Sequence, residues 1–156
     1  PLYTSLSELK NENKDLKFDV ILLNDVIEHL HDSPRFLLDE LNKLLKEDGC
    51  VLFTVPNALN LKKRIKVFFG LTNYVSYESL FFHESDNFRG HVREYSKGCL
   101  KKMSDYMNYD IIKLKGCHQM LETIPSYLLT PWKILTFFFP NFCDSYILIV
   151  KNKKKT

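Results

Sequence analysis

Phe18-Asp19-Val20-Ile21-Leu22-Leu23-Asn24-Asp25-Val26-Ile27-Glu28-His29-Leu30 is the stretch whose reading decides the fold. Val20 to Leu23 is an unbroken apolar run bounded by polar residues, which predicts a strand buried on both faces, as in a parallel sheet. Asn24, Asp25, Glu28 and His29 follow at once. In open α/β sheets the ligand lies in the crevice beyond the carboxyl ends of the strands, so these four side chains stand where a site is expected.

Working outward, Asp32-Ser33-Pro34 gives a helix start, a capping side chain followed by proline at the first helical position. The helix is predicted to run to about Lys46, with Leu37, Leu38, Leu41, Leu44 and Leu45 as its apolar stripe, an Asp39 to Lys43 ion pair, and Gly49 as the terminating glycine. Cys50 to Val55 is the next predicted buried strand, closed by Pro56. Strand, helix and strand make a βαβ unit whose right-handed crossover sets the two strands parallel. Asn24-Asp25 and Pro56-Asn57 therefore leave the sheet at the same edge.

The connection from Asn57 to Tyr95 is long for a compact domain. Its first part, Leu59 to Phe69, has Leu61, Ile65, Phe68 and Phe69 at helical spacing with Lys62, Lys63, Arg64 and Lys66 between them; Thr72 to Phe88 is rich in Tyr, Phe, Ser and Asn. Residues 58–95 read as a lid on the substrate side. Ser96 is an N-cap for a helix from Lys97 to about Met107, with Leu100, Met103 and Tyr106 or Met107 facing inward. Tyr109 to Leu114, ending near Gly116, and Ser145 to Lys151 read as two further strands.

The run F-D-V-I-L-L-N-D-V-I-E-H-L, a helix, and then Gly49-Cys50-Val51-Leu52-Phe53-Thr54-Val55-Pro56-Asn57 resembles the fourth strand, following helix and fifth strand of class I S-adenosylmethionine-dependent methyltransferases. Gly90-His91-Val92-Arg93-Glu94-Tyr95-Ser96 and Pro140-Asn141-Phe142 are similar to the bacterial branch that modifies small molecules, lipids and saccharides. The resemblance implies a partial Rossmann-like α/β fold with strands four to seven in the order 4-5-7-6, the last antiparallel. It spans 1–156 as a single partial methyltransferase domain, with 151–156 as a basic tail. The family's glycine-rich first turn and the acidic residue ending its second strand have no counterpart, so the chain resembles the C-terminal half of such an enzyme, inactive alone.

The resemblance implies S-adenosylmethionine as cofactor, with Asn24, Asp25 and Val26 against its methionine part and Glu28 and His29 beside the transferred methyl group. It also implies His91 as a second catalytic candidate, and Pro56, Asn57, Arg93 and Tyr95 around the acceptor, Arg93 holding an anionic group. Methyl transfer from a sulfonium needs chiefly alignment, plus a base when the acceptor is a hydroxyl or a protonated amine. Histidine titrates near neutrality and suits that role. The plainer alternatives are that Asp25 and Glu28 cap the turn leaving the strand, that His29 fixes the loop, and that His91 and Arg93 anchor a loop. A zinc set of Glu28, His29 and His31 is not expected, since near neighbours rarely converge on one ion without distant ligands. His83 and His118 carry no spacing signal.

With 156 residues, 45% apolar and 26% charged, the chain suits one globular domain. Cys50, Cys99, Cys117 and Cys143 are far apart and lack a C-x-x-C motif, as in reduced cytoplasmic proteins. Pro1 to Lys17 has no apolar core of signal-peptide length. A net charge of +3 does not argue for nucleic acid, and Lys151 to Lys155 reads as a solvated tail. Tyr127 to Phe142 is aromatic but interrupted by Pro131, Lys133 and Pro140, and falls short of the roughly 20 residues that span a bilayer. Its aromatics are expected to pack between strands or cover a sheet face. The Lys62 to Lys66 cluster is either a solvated helix face or a surface for peripheral contact with an anionic membrane or partner. The competing functional class is a non-catalytic methyltransferase-fold domain that binds a partner or a membrane.

Overall fold

The structure, a computed structural model, describes residues 16–71, 78, 81–82 and 90–153. The expectations for residues 1–15, for most of 72–88 including His83, and for 154–156 lie outside the described residues. Four strands form one sheet in the order β1-β2-β4-β3: β1 Phe18–Asn24, β2 Leu45–Pro56, β3 Tyr109–Cys117 and β4 Ser145–Asn152. β1 and β2 are parallel, and β4 runs antiparallel to both β2 and β3. The carboxyl ends of β1, β2 and β3 therefore share one edge of the sheet.

Helix α1, Pro34–Asn42, joins β1 to β2; Ser33 Oγ accepts from the Arg35 N–H, and Pro34 opens the first turn. The helix stops four residues short of the expected end. Leu44 and Leu45 leave the helix and are both buried, and the Leu44 carbonyl accepts from the Phe18 N–H, so the chain is already extended beside β1. Gly49 accordingly lies inside β2 and is not a helix terminator. A Cβ there would sit 2.9 Å from the Leu45 side chain and 3.0 Å from the Phe18 carbonyl. The ion pairs shift as well: Arg35 meets Asp39 at 3.5 Å, and Lys43 meets Glu40 at 2.6 Å.

One face of the sheet is covered. Leu23, Val51, Phe53, Val55, Tyr146, Leu148 and Val150 lie on it and cluster with Leu38 and Leu41 of α1 and with Leu100 of α3, Lys97–Tyr106. Ser96 caps α3 by accepting from the Cys99 N–H; Met103 and Met107 pack inward, whereas Tyr106 is exposed. The other face does not match the expected burial of β1 on both sides. Val20 and Leu22 are 52% and 59% exposed, because α1 and α3 lie across the face that carries Leu23. Among the described residues β1 pairs with β2 alone and is an edge strand.

Helix α2, Leu61–Phe68, is capped by the Asn60 side chain, and none of its residues is buried. Its cations do not all face solvent. Lys62 donates to Thr123 Oγ1 and lies over the Trp132 ring, Lys63 pairs with Glu94, and Arg64 Nε donates to the Leu59 carbonyl. Helix α4, Ser126–Phe138, has Pro131 inside it. Contrary to the expected packing, Tyr127, Phe137, Phe138 and Phe139 are more than half exposed. No helix among the described residues is long and apolar enough to cross a membrane.

Candidate active site

Asp25 follows the last residue of β1 with φ of 50°, so the chain turns sharply at the sheet's carboxyl edge. Its backbone N–H donates to the Thr54 carbonyl at 3.0 Å, extending the β1–β2 ladder by one step. Thr54 Oγ1 donates to Asp25 Oδ1 at 3.3 Å, and Gln119 Nε2 donates to Oδ2 at 3.1 Å. Gln119 enters from the turn after β3. Asp144 fixes that turn by accepting from the Gln119 and Met120 N–H groups, and His118 Nδ1 lies 3.4 Å from Asp144 Oδ2. Strand β2 and the turn after β3 thus both meet the aspartate that follows β1.

Beyond Asp25 the chain makes a single 3₁₀ turn, Ile27–His29, with Val26 at its start. Ile27 packs into the core, and Glu28 is fully buried with neither carboxylate oxygen hydrogen-bonded. Burial pushes the Glu28 carboxyl above its ordinary range; Asp25 adds to that push, while the Glu28 backbone N–H, His29 and His91 oppose it. The Glu28 carbonyl accepts from the Val92 N–H at 2.8 Å and the Arg93 N–H at 3.1 Å. These two bonds carry residue 91 across from a distant part of the sequence. The His29 and His91 rings stand edge to face with centroids 4.9 Å apart. His29 Nδ1 lies 3.1 Å from the Gly90 carbonyl, and His91 Nδ1 lies 3.2 Å from Glu94 Oε1.

Asn24, Asp25, Val26, Glu28, His29 and His91 therefore converge, but Glu28 turns inward towards the histidines instead of offering its side chain to the open edge. Its place on an apolar 3₁₀ turn beside Ile27 is the reason. Pro56 pairs with Ser145 at the end of β2. Asn57 is fully buried: its amide donates to the Asn141 and Cys143 carbonyls at 2.9 and 2.8 Å, and its Oδ1 accepts from the Leu59 N–H. With those bonds made, the Asn57 side chain ties the segment after β2 to the loop before β4. Tyr95 is likewise buried, with its hydroxyl donating to the Ile27 carbonyl at 3.4 Å. Arg93 and Tyr95 also line a cavity of about 720 Å³ between α1 and α3, together with Arg35, Asp39, Asn42 and Lys102. Neither His29 nor His91 lines it.

Thr54, Gln119, Glu94 and Asp144 were not singled out from the sequence. A signal exists for Gln119 and Asp144, which lie two residues after β3 and one residue before β4, at the edge where ligands bind in such sheets. Glu94 carries none beyond its spacing of three from His91.

Residues 5–114 match the family described as a methyltransferase domain. No curated protein matches the chain. Among solved structures, it is similar to a SAM-dependent methyltransferase from Archaeoglobus fulgidus, at 15% identity and a TM-score of 0.52, over 97% of this chain and 66% of that one. It is also similar to magnesium protoporphyrin IX methyltransferase from Synechocystis PCC 6803 with bound SAH, at 12% identity and a TM-score of 0.51, over 97% of this chain and 50% of that one. The chain spans less than two-thirds of the length of either.

Proposed function

The chain belongs to the methyltransferase-domain family, and from that premise we propose that it forms the strand-four-to-seven side of an S-adenosylmethionine-dependent methyltransferase. In this reading β1, β2, β3 and β4 are the family's fourth, fifth, sixth and seventh strands. The acceptor is a hydroxyl or amine on a small-molecule, lipid-linked or saccharide substrate. One observation carries the proposal: Asp25, in a left-handed turn at the carboxyl edge of parallel β1 and β2, is gripped by Thr54 and Gln119 beside the His29–His91 pair.

The edge fits one wall of a cofactor crevice. Asn24 and Asp25 are exposed there, and Asp25 is held by Thr54 of β2 and by Gln119 of the turn after β3, so its position is fixed before a ligand arrives. Asn24, Asp25 and Val26 would hold the methionine part of S-adenosylmethionine. When bound, that cofactor supplies an electrophilic methyl group on a sulfonium whose thioether leaves readily. His91, whose Nδ1 lies beside Glu94, would take the acceptor's proton at Nε2. Arg93, two residues from His91 and on the wall of the cavity between α1 and α3, would attract an anionic acceptor group.

The test is transfer of a labelled methyl group to small hydroxylated and amine acceptors by the longest polypeptide that the reading frame encodes. His91→Ala should lower turnover about 10²- to 10⁴-fold, with little change in cofactor affinity. Equal turnover in wild type and His91→Ala would overturn the role given to His91.

The exposed outer edge and bare face of β1, with Val20 and Leu22 at the surface, favour a second reading as a non-catalytic domain that pairs with a partner there. Methyl transfer by the longest polypeptide would exclude it.

A further inference from the structure

Among the described residues, Glu28 is the buried carboxylate left without a hydrogen bond. Its side chain is fully buried, and neither oxygen has a hydrogen-bond partner. An ionised carboxylate left so costs several kcal/mol, and even a protonated one leaves a donor and an acceptor unsatisfied. The groups it faces are two imidazoles: ligand atoms of Glu28, His29 and His91 all lie within 4.8 Å of one another.

The surroundings of both rings are those of metal ligands. His29 Nδ1 points at the Gly90 carbonyl and His91 Nδ1 at the Glu94 carboxylate. Where Nδ1 carries the proton shared with such an oxygen, the ring's lone pair is on Nε2. A carbonyl or carboxylate behind a ligating histidine is the usual way of orienting it and raising its basicity. Lys63 holds the other oxygen of Glu94, so the supporting carboxylate is itself anchored. The distant ligand that neighbouring residues need is His91, brought in by the Val92 and Arg93 N–H bonds to the Glu28 carbonyl.

We propose that Glu28, His29 and His91 form a binding site for one divalent first-row transition-metal cation. Two imidazoles with one carboxylate favour Fe²⁺, Co²⁺ or Zn²⁺ over Mg²⁺ or Ca²⁺, which prefer sets made wholly of oxygen. Three protein ligands leave coordination positions for water or for acceptor oxygens. The site stands as a binding site whether or not the chain transfers methyl groups. The base role given to His91 above belongs to the metal-free protein; with an ion in place its ring nitrogen is a ligand.

Cobalt titration of the full chain, followed by visible absorption and by paramagnetic shifts of histidine ring protons, tests this directly. The expected result is one Co²⁺ per chain, with shifted resonances from His29 and His91. Glu28→Gln, close to isosteric, should weaken binding at least tenfold, and Glu94→Gln should weaken it about 10- to 100-fold through the orientation of His91. Circular dichroism of both variants checks that they fold; His91→Gln, at a surface-reaching position, repeats the test if Glu28→Gln does not. No saturable binding to the wild type, or equal affinity in wild type and the folded variants, would overturn the site. So would an intense thiolate-to-cobalt band, which would move the ion to the His118 and Cys143 neighbourhood.

Discussion

Tyr109 is 1% exposed, and its hydroxyl donates to Asn42 Oδ1 at 2.6 Å across the join of α1 and β3. Burial pushes its phenol up to about 12. Because the folded-state value lies above the ordinary value of about 10, the protonated form is the one that the fold holds. Stability from this group is complete below pH 10 and is lost as pH rises towards 12, by roughly 2–3 kcal/mol in all. Tyr109→Phe should cost about 1 kcal/mol at pH 8. It should also flatten the alkaline fall in urea-measured stability; an unchanged fall would contradict the assignment. Some residue-level features were legible in the sequence because they are local, such as the caps at Ser33 and Ser96. The Gln119 bond to Asp25 was not, since 94 residues separate the partners and only the folded sheet brings them together. The same holds for Glu28 and His91, whose meeting depends on two backbone bonds and not on any spacing.

At the scale of elements, β1 was readable as a strand from Val20 to Leu23, and so was its parallel pairing with the strand ending at Pro56. Its two-sided burial was not, because burial depends on what packs against each face, and α1 and α3 cover one face only. The difference is measurable within a single dipeptide. Leu23 is 8% exposed and Leu22 59% exposed. Leu23→Ala should therefore cost about 2–5 kcal/mol, whereas Leu22→Ala should stay below about 1 kcal/mol in chemical denaturation of this chain. Equal losses would mean that the outer face of β1 is covered. The boundary between α1 and β2 was misread for a related reason. Leu44 and Leu45 extend the helical stripe as well as they start a strand, and the Phe18 N–H bond to the Leu44 carbonyl decides the matter in the folded chain.

At the scale of the whole molecule, the sheet presents one face packed by α1 and α3 and a carboxyl edge at which Asp25, Asn57, Gln119 and Asp144 interlock. The family match runs over residues 5–114 and the structural likeness over nearly the whole chain, yet that length covers only 66% and 50% of the two solved methyltransferases. The function proposed above rests on that edge, where Asp25 stands beside the His29–His91 ring pair. Isothermal titration of S-adenosylhomocysteine into the longest polypeptide that the reading frame encodes, as wild type and as Asp25→Ala, tests this account most directly. Saturable binding that weakens about tenfold or more on substitution is the predicted result; no saturable heat in the wild type, or the same affinity in both proteins, would contradict it.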